Sequence, residues 1–460
     1  MVAAAQWICL ALGTPLYEID TNSFIRGGLT WDIYHNPLLN IYIALCTKIW
    51  PNVWFIVGLQ CLLYAGAASF LANVLFRQNA VLLYVALAIA AAEPVTMFYN
   101  HSMLAESMFT SFTFLSLAML LLWMEQGDGP SAALFGAMLG LCLMGKLSAM
   151  IHLPLFGLIL SRTATPLLRR WAAVAIAVLP FAACYAFVYI GQRIINDGDV
   201  FTVEGRVRWD FSSALYDSTE AGIPAFSRFV HPYIFRHGGM VQHHETRMEL
   251  SHLGYKDCVS EWESAGYPAN RGINACDSLF GAVGSKILAG HFWQAECRFV
   301  KDNIETIHSL NYLDYRFTPG LHYYHPQKEY DYLDSLMAAT YHYSLKDRAG
   351  RIPTIWRSLD FGNVYMPVLW WLWWGVLTAA AVLWIRCRKR WDLLALGLVT
   401  AIPLVFHFVY LTYKPRFLSP YIVPMLMLML SEVAALVSLK NRKPAHQEQP
   451  SMEASHGCQS

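Results

Sequence analysis

Val53-Trp54-Phe55-Ile56-Val57-Gly58-Leu59-Gln60-Cys61-Leu62-Leu63-Tyr64-Ala65-Gly66-Ala67-Ala68-Ser69-Phe70-Leu71-Ala72-Asn73-Val74-Leu75-Phe76 contains no Asp, Glu, Lys or Arg. As a helix it would rise about 36 Å, enough to cross ~30 Å of hydrocarbon. Further apolar runs follow the same rule. The expected spans are roughly 2–17, 53–76, 80–98, 103–124, 131–146, 148–161, 171–192, 364–386, 392–412 and 418–439, so about ten helices in all. Composition agrees: the chain is 56% hydrophobic and only 14% charged, with a mean hydropathy of +0.36, against about 25% charge in a soluble domain. The expected fold is therefore an all-α polytopic membrane protein. A net charge of +1 gives no electrostatic reason to expect a nucleic-acid partner. Sixteen Trp and twenty-four Tyr suit belts at the membrane–water interface.

The short loops carry their positive charge unevenly. Arg77, then Arg162, Arg169 and Arg170, then Arg386, Arg388, Lys389 and Arg390, then Lys440, Arg442 and Lys443 fall in alternate loops. These loops are expected to be cytoplasmic, and both termini with them. The first loop 18–36, the turns near Asn100-His101, Lys146 and Lys414-Pro415-Arg416, and the long polar segment 193–363 then fall on the opposite face. The chain thus divides into an N-terminal membrane module 1–192, an external domain or long loop 193–363 inserted between the seventh and eighth spans, C-terminal helices 364–440, and a polar tail 441–460 expected to be disordered. Ten cysteines are scattered without a CxxC pair. If segment 193–363 faces an oxidising space, Cys258–Cys276 is the expected disulfide.

Ionisable groups at the rim of a membrane domain are costly, and so they mark candidate chemistry. Tyr17-Glu18-Ile19-Asp20-Thr21-Asn22 follows the first apolar run, and Trp31-Asp32-Ile33-Tyr34-His35-Asn36-Pro37-Leu38-Leu39 closes the same loop. A carboxylate at a half-dry rim, such as Asp20, can serve as a general base. As a plain structural element it would cap a helix that follows. Glu18 is its neighbouring alternative. Glu106 lies one turn into an apolar helix, either facing a wet cavity or simply favoured by the helix dipole. Glu93, before Pro94, is a weaker case of the same kind. Lys146 in Gly145-Lys146-Leu147 and Arg416 in Lys414-Pro415-Arg416-Phe417 are cations on the side poor in them. They could hold a phosphate or snorkel from helix ends. The histidines His231, His237, His243, His244 and His252 show no metal-ligand spacing, and His322 and His325, among tyrosines, could line an acceptor groove. With no P-loop or nucleotide-binding fold in the sequence, an activated group would have to come from the membrane itself.

Taken in order, these motifs resemble the GT-C class of polyprenyl-phosphate-sugar glycosyltransferases, which includes bacterial aminoarabinose transferases and the protein O-mannosyltransferase superfamily. The likeness covers roughly residues 1–190 and, more faintly, 360–440. Asp20 matches the family's acid in the first external loop. His35-Asn36-Pro37-Leu38 stands where a Lys-Pro-Pro-Leu-type turn is usual, Ser102 to Glu106 matches a loop and acid opening a helix, Gly145-Lys146 matches a Gly-Lys turn, and Arg416-Phe417-Leu418-Ser419-Pro420 matches an Arg-aromatic-x-x-Pro turn. The resemblance implies an integral-membrane glycosyltransferase moving a hexose or pentose from a polyprenyl-phosphate donor to a hydroxyl of a lipid, glycan or protein, with inversion. It implies Asp20 and Glu106 as catalytic residues, Lys146, Arg416 and His35 as phosphate ligands, and Glu18, His101 and Lys414 in support. No cofactor follows from it. Family members that bind a divalent metal here use an acid just before the turn, where this chain has Tyr34, so a divalent metal stays open. The implied setting is a bacterial inner membrane with the active site facing the periplasm and a role in cell-envelope glycan biosynthesis. The alternatives are an O-antigen ligase or polymerase, a lipid-linked glycan transporter, and a non-catalytic subunit built on the same fold.

Overall fold

The computed structural model describes residues 1–12, 15–16, 24–25, 36–161, 165–195, 205, 208–209, 212–215, 224–236, 239–240, 244–267, 269–309, 327–344, 362–386, 390–409 and 415–440. Among these the chain is helical apart from turns and one two-residue antiparallel pair, Phe235–Arg236 with Gly239–Met240. In the first half the helices are α1 (Val2–Leu12), α2 (Leu38–Ile49), α3 (Val53–Phe76), α4 (Ala80–Ala92), α5 (Pro94–Asn100), α6 (Ala105–Gln126), α7 (Gly129–Gly145), α8 (Phe156–Leu160) and α9 (Leu167–Ile195). The second half holds α10 (Pro224–Ile234), α11 (His244–Ser264), α12 (Ala269–Ser309), α13 (Gln327–Tyr341), α14 (Gly362–Arg386), α15 (Trp391–Val409) and α16 (Pro415–Lys440).

Local chemistry sets the ends of these helices. Asn52 caps α3, its Oδ1 accepting from the backbone N–H of Trp54 and Phe55 at 2.8 and 3.3 Å. Asn79 caps α4 through the N–H of Leu82 at 3.1 Å. Pro94 cannot donate to the turn before it, and at this point the chain bends by 57° between α4 and α5. The α6–α7 turn passes through Gly127 at φ 74°, a left-handed conformation that favours glycine, and Asp128 caps α7 through Ser131 N–H. Helix α9 lies against α7 at very short range. A methyl group at Gly136 would sit 1.7 Å from the Ala177 carbonyl oxygen, and one at Gly140 would meet the Cys184 side chain. Small residues four apart permit this backbone approach inside a bilayer, where close packing must supply much of the association energy.

Five described helices are long and apolar enough to cross a membrane: Val53–Phe76, Ala105–Gln126, Leu167–Ile194, Pro367–Arg386 and Leu418–Leu439. The bent pair Ala80–Asn100 would make a sixth. Val2–Leu12, Leu38–Ile49, Gly129–Gly145, Leu147–Leu160 and Trp391–Val405 are shorter apolar helices. The stretch after Lys146 compensates for its length by its form: Leu147–Leu155 is a 3-10 helix that continues into α8. At ~2.0 Å per 3-10 residue and 1.5 Å per α residue it spans about 26 Å, where an all-α run would reach about 21 Å. Helix α2 lies between the first loop, 18–36, and the second expected span, 53–76.

One large core runs through the apolar helices and includes Leu333, Met337, Tyr341 and Tyr343 from the polar segment. A separate buried cluster, Trp209, Phe229, Val230, Tyr255, Val259, Ile273, Phe280, Val283 and Ile287, sits within the described part of 205–309. A Cys258–Cys276 disulfide ties α11 to α12 inside this cluster, the pairing expected from the sequence. Helix α12 is kinked at His291, whose backbone leaves the helical region.

Candidate functional site

Glu106 and Lys146, forty residues apart, form an ion pair with Lys146 Nζ 2.7 Å from Glu106 Oε1. Glu106 is in the first turn of α6, where the helix dipole favours an anion. Lys146 ends α7 and opens the 3-10 turn, so its backbone is shared by two elements. The Glu106 side chain is 4% exposed and that of Lys146 17%. Removing either member would leave a charge in a desolvated place without its counter-charge. The two residues therefore form one unit, whereas the sequence reading gave them separate duties.

Leu16 and Asn36, on either side of the first loop, are held to residues three to five positions before Glu106 and Lys146. On the near side, Leu16 N–H donates to His101 C=O at 2.8 Å, and Met103 N–H donates to Leu16 C=O at 2.9 Å, a parallel bridge just ahead of Glu106. On the far side, the Asn36 side-chain amide donates to the Leu143 carbonyl, three residues before Lys146. A proline, usual at this position in the resembled turn, has no side-chain donor for that bond. Residues 17–23 and 26–35 lie outside the described residues, and with them Glu18, Asp20 and His35.

The polar segment also docks here. Tyr343 donates its hydroxyl proton to the Pro15 carbonyl at 2.5 Å, and the Tyr341 and Thr47 hydroxyls share a hydrogen bond at 3.1 Å. Between them His342 adopts φ 52°, a left-handed conformation that costs a non-glycine residue of order 1 kcal/mol. That turn sends one tyrosine to α2 and the other to the root of the first loop.

Helix α16 joins from a third direction. Thr96 Oγ1 in α5 donates to the Ser419 carbonyl at 3.2 Å. Tyr421 packs 5.5 Å from His152, which packs 6.2 Å from Phe109 (ring centroids). Phe109 is one turn along α6 from Glu106, His152 is in the 3-10 turn after Lys146, and Tyr421 is in α16 after Arg416. This aromatic contact joins the three elements that carry Glu106, Lys146 and Arg416. Arg416 lies in the first turn of α16; its side chain and the whole of Lys414 lie outside the described residues, as do His322 and His325.

His101 is buried at the C-terminal end of α5. Its backbone carbonyl holds Leu16, so its described contribution is structural. Glu93, the weaker carboxylate candidate, is occupied as the cap of α5, accepting from Val95 and Thr96 N–H at 3.1 and 2.6 Å. His152 escaped the sequence reading. Its only signal was a lone imidazole within Met150-Ile151-His152-Leu153. It is 1% exposed, and neither ring nitrogen has a hydrogen-bond partner among the described residues. Also among the described residues, no three His, Cys, Asp or Glu side chains come together to hold a metal ion. Comparison of the chain with models of protein families, with characterised proteins and with solved structures gives no match.

Proposed function

We propose that this protein is an integral-membrane glycosyltransferase that moves a sugar from a polyprenyl-phosphate donor to a hydroxyl acceptor. The observation that carries the proposal is the buried Glu106–Lys146 pair, flanked by both anchors of the acidic first loop. A lysine ammonium has three donors and Glu106 engages one. A donor phosphate oxygen takes another in the Michaelis complex. As the glycosidic C–O bond breaks, negative charge grows on the departing polyprenyl phosphate, and a fixed cation in a water-poor site stabilises that charge more than it does in water. Glu106 holds the ammonium where the charge develops. Arg416 supplies a second cation to the same phosphate, with His35 and Lys414 in support. Asp20 takes the proton of the acceptor hydroxyl as that oxygen attacks the anomeric carbon, with Glu18 beside it, and the product is inverted.

Counting the shorter apolar helices as crossings gives ten, with α2 lying along the interface. The arginine-rich turns at one end then face the cytoplasm, and the ion pair faces the other side, a bacterial periplasm. The Cys258–Cys276 disulfide supports an oxidising compartment for α11 and α12.

Purified protein incubated with radiolabelled polyprenyl-phosphate sugars should release polyprenyl phosphate and label an acceptor. Asp20→Asn should fold normally and lose transfer. Retention of more than about a tenth of the wild-type rate would remove Asp20 as the base, since general-base catalysis is worth at least about a hundredfold.

A further inference from the structure

At the end of the bundle opposite the ion pair, a half-open cavity of about 500 Å³ lies between the α3–α4 turn, the last turn of α6 and the start of α15. Four charges line it, two of each sign: Arg77 pairs with Glu125, and Arg390 pairs with Asp392 through Nε at 2.8 Å and Nη2 at 2.5 Å. Arg390 is further fixed by the Ser431 carbonyl at 3.0 Å. The Arg77 and Glu125 side chains are 44% and 48% exposed, so this pair faces solvent at the mouth. The same lining includes the apolar side chains of Leu75, Leu82 and Leu121. The cavity sits where two candidate spans, Val53–Phe76 and Ala105–Gln126, end, the depth at which hydrocarbon gives way to headgroups.

We propose that this cavity binds the headgroup of a zwitterionic phospholipid bearing a primary amine, with the phosphate on the arginines and the ammonium on the carboxylates. The site's formal charge sums to zero over Arg77, Arg390, Glu125 and Asp392. An anionic headgroup without an amine would set its phosphate against two carboxylates with nothing to answer them. A headgroup with one charge of each sign answers both pairs. The apolar side chains of the lining take the first methylenes of the acyl chains, which a free phosphoamine lacks. The site is separate from the proposed transfer centre and stands or falls without it.

The test uses the purified full-length chain, delipidated in detergent and titrated with short-chain phosphatidylethanolamine, short-chain phosphatidylglycerol and water-soluble glycerophosphoethanolamine. Binding is read by native mass spectrometry and by the thermal midpoint. The phosphatidylethanolamine should bind about tenfold or more tightly than either other probe, and Arg77→Gln should weaken it about tenfold, the loss expected for one charge-assisted hydrogen bond. Glu125→Gln should weaken the amine-bearing lipid while leaving phosphatidylglycerol equal or tighter. Neither exposed substitution should lower the midpoint of the lipid-free protein appreciably. Equal affinity for the two lipids, or wild-type affinity in both variants, would overturn the site. Equal affinity for the soluble headgroup would overturn a lipid as its occupant.

Discussion

The two ends of α6 carry a glutamate each, about 29 Å apart along the helix axis, and each glutamate has a basic partner. At one end Glu125 meets Arg77 with both side chains nearly half exposed. At the other, Glu106 meets Lys146 with 4% and 17% exposure. The same chemistry in two settings has opposite meaning. Water screens the Arg77–Glu125 pair, so little of the fold's stability depends on it. The Glu106–Lys146 pair gives up hydration that only good geometry recovers, and a fold with no use for it would do as well with two apolar side chains. The buried pair is therefore the place to look for catalysis, and the exposed one stays open to a ligand from outside the fold.

That contrast can be broken by mutation. The largest effect should come from the buried end: Glu106→Gln or Lys146→Met alone should cost about 3–5 kcal/mol, because each strands a desolvated charge. The double substitution should cost clearly less than the sum. Denaturation in detergent micelles, run as a double-mutant cycle, measures the coupling; additive effects would show that the pair is no more than a surface contact. Next in size is the disulfide. Cys258→Ser with Cys276→Ser opens a loop of eighteen residues and should cost about 3 kcal/mol, confined to α11 and α12 and read as faster proteolysis there. Smaller again is Asn36→Ala, which removes one anchor of the first loop at about 1 kcal/mol yet should lower transfer more than stability. Arg77→Ala should come last, at under about 1 kcal/mol and vanishing in high salt.

Much of the fold could be read from the sequence because hydropathy is a long-window signal. Val53–Phe76 is a helix over the expected residues, and α6, α9, α14 and α16 begin and end within a few residues of the runs that suggested them. Short-range chemistry was harder to see. The first helix stops at Leu12 rather than near 17, and the apolar run 80–98 is broken at Glu93-Pro94, where a residue that caps the next helix also ends the previous one. The site was partly legible. Glu106 and Lys146 stood out as charges in apolar runs, but that they touch depends on α6 and α7 packing antiparallel, which no spacing in the sequence encodes. Leu16 carries no charge and gave no signal, and Asn36 stood out only as part of the turn motif, with nothing in the sequence to point to its bond with Leu143. His152 looked like any buried imidazole until α6 and α16 closed around it.

The most direct test compares Lys146→Ala with Arg228→Ala in one turnover assay. Arg228 pairs with Glu261 at 2.6 Å with both side chains more than half exposed, far along the chain from the proposed centre. Release of polyprenyl phosphate from a labelled polyprenyl-phosphate sugar should fall about a hundredfold or more with Lys146→Ala, as for loss of a charge-stabilising donor, and should stay at the wild-type rate with Arg228→Ala. Equal rates in the two variants, or no release by the wild-type protein from any such donor, would contradict the assignment.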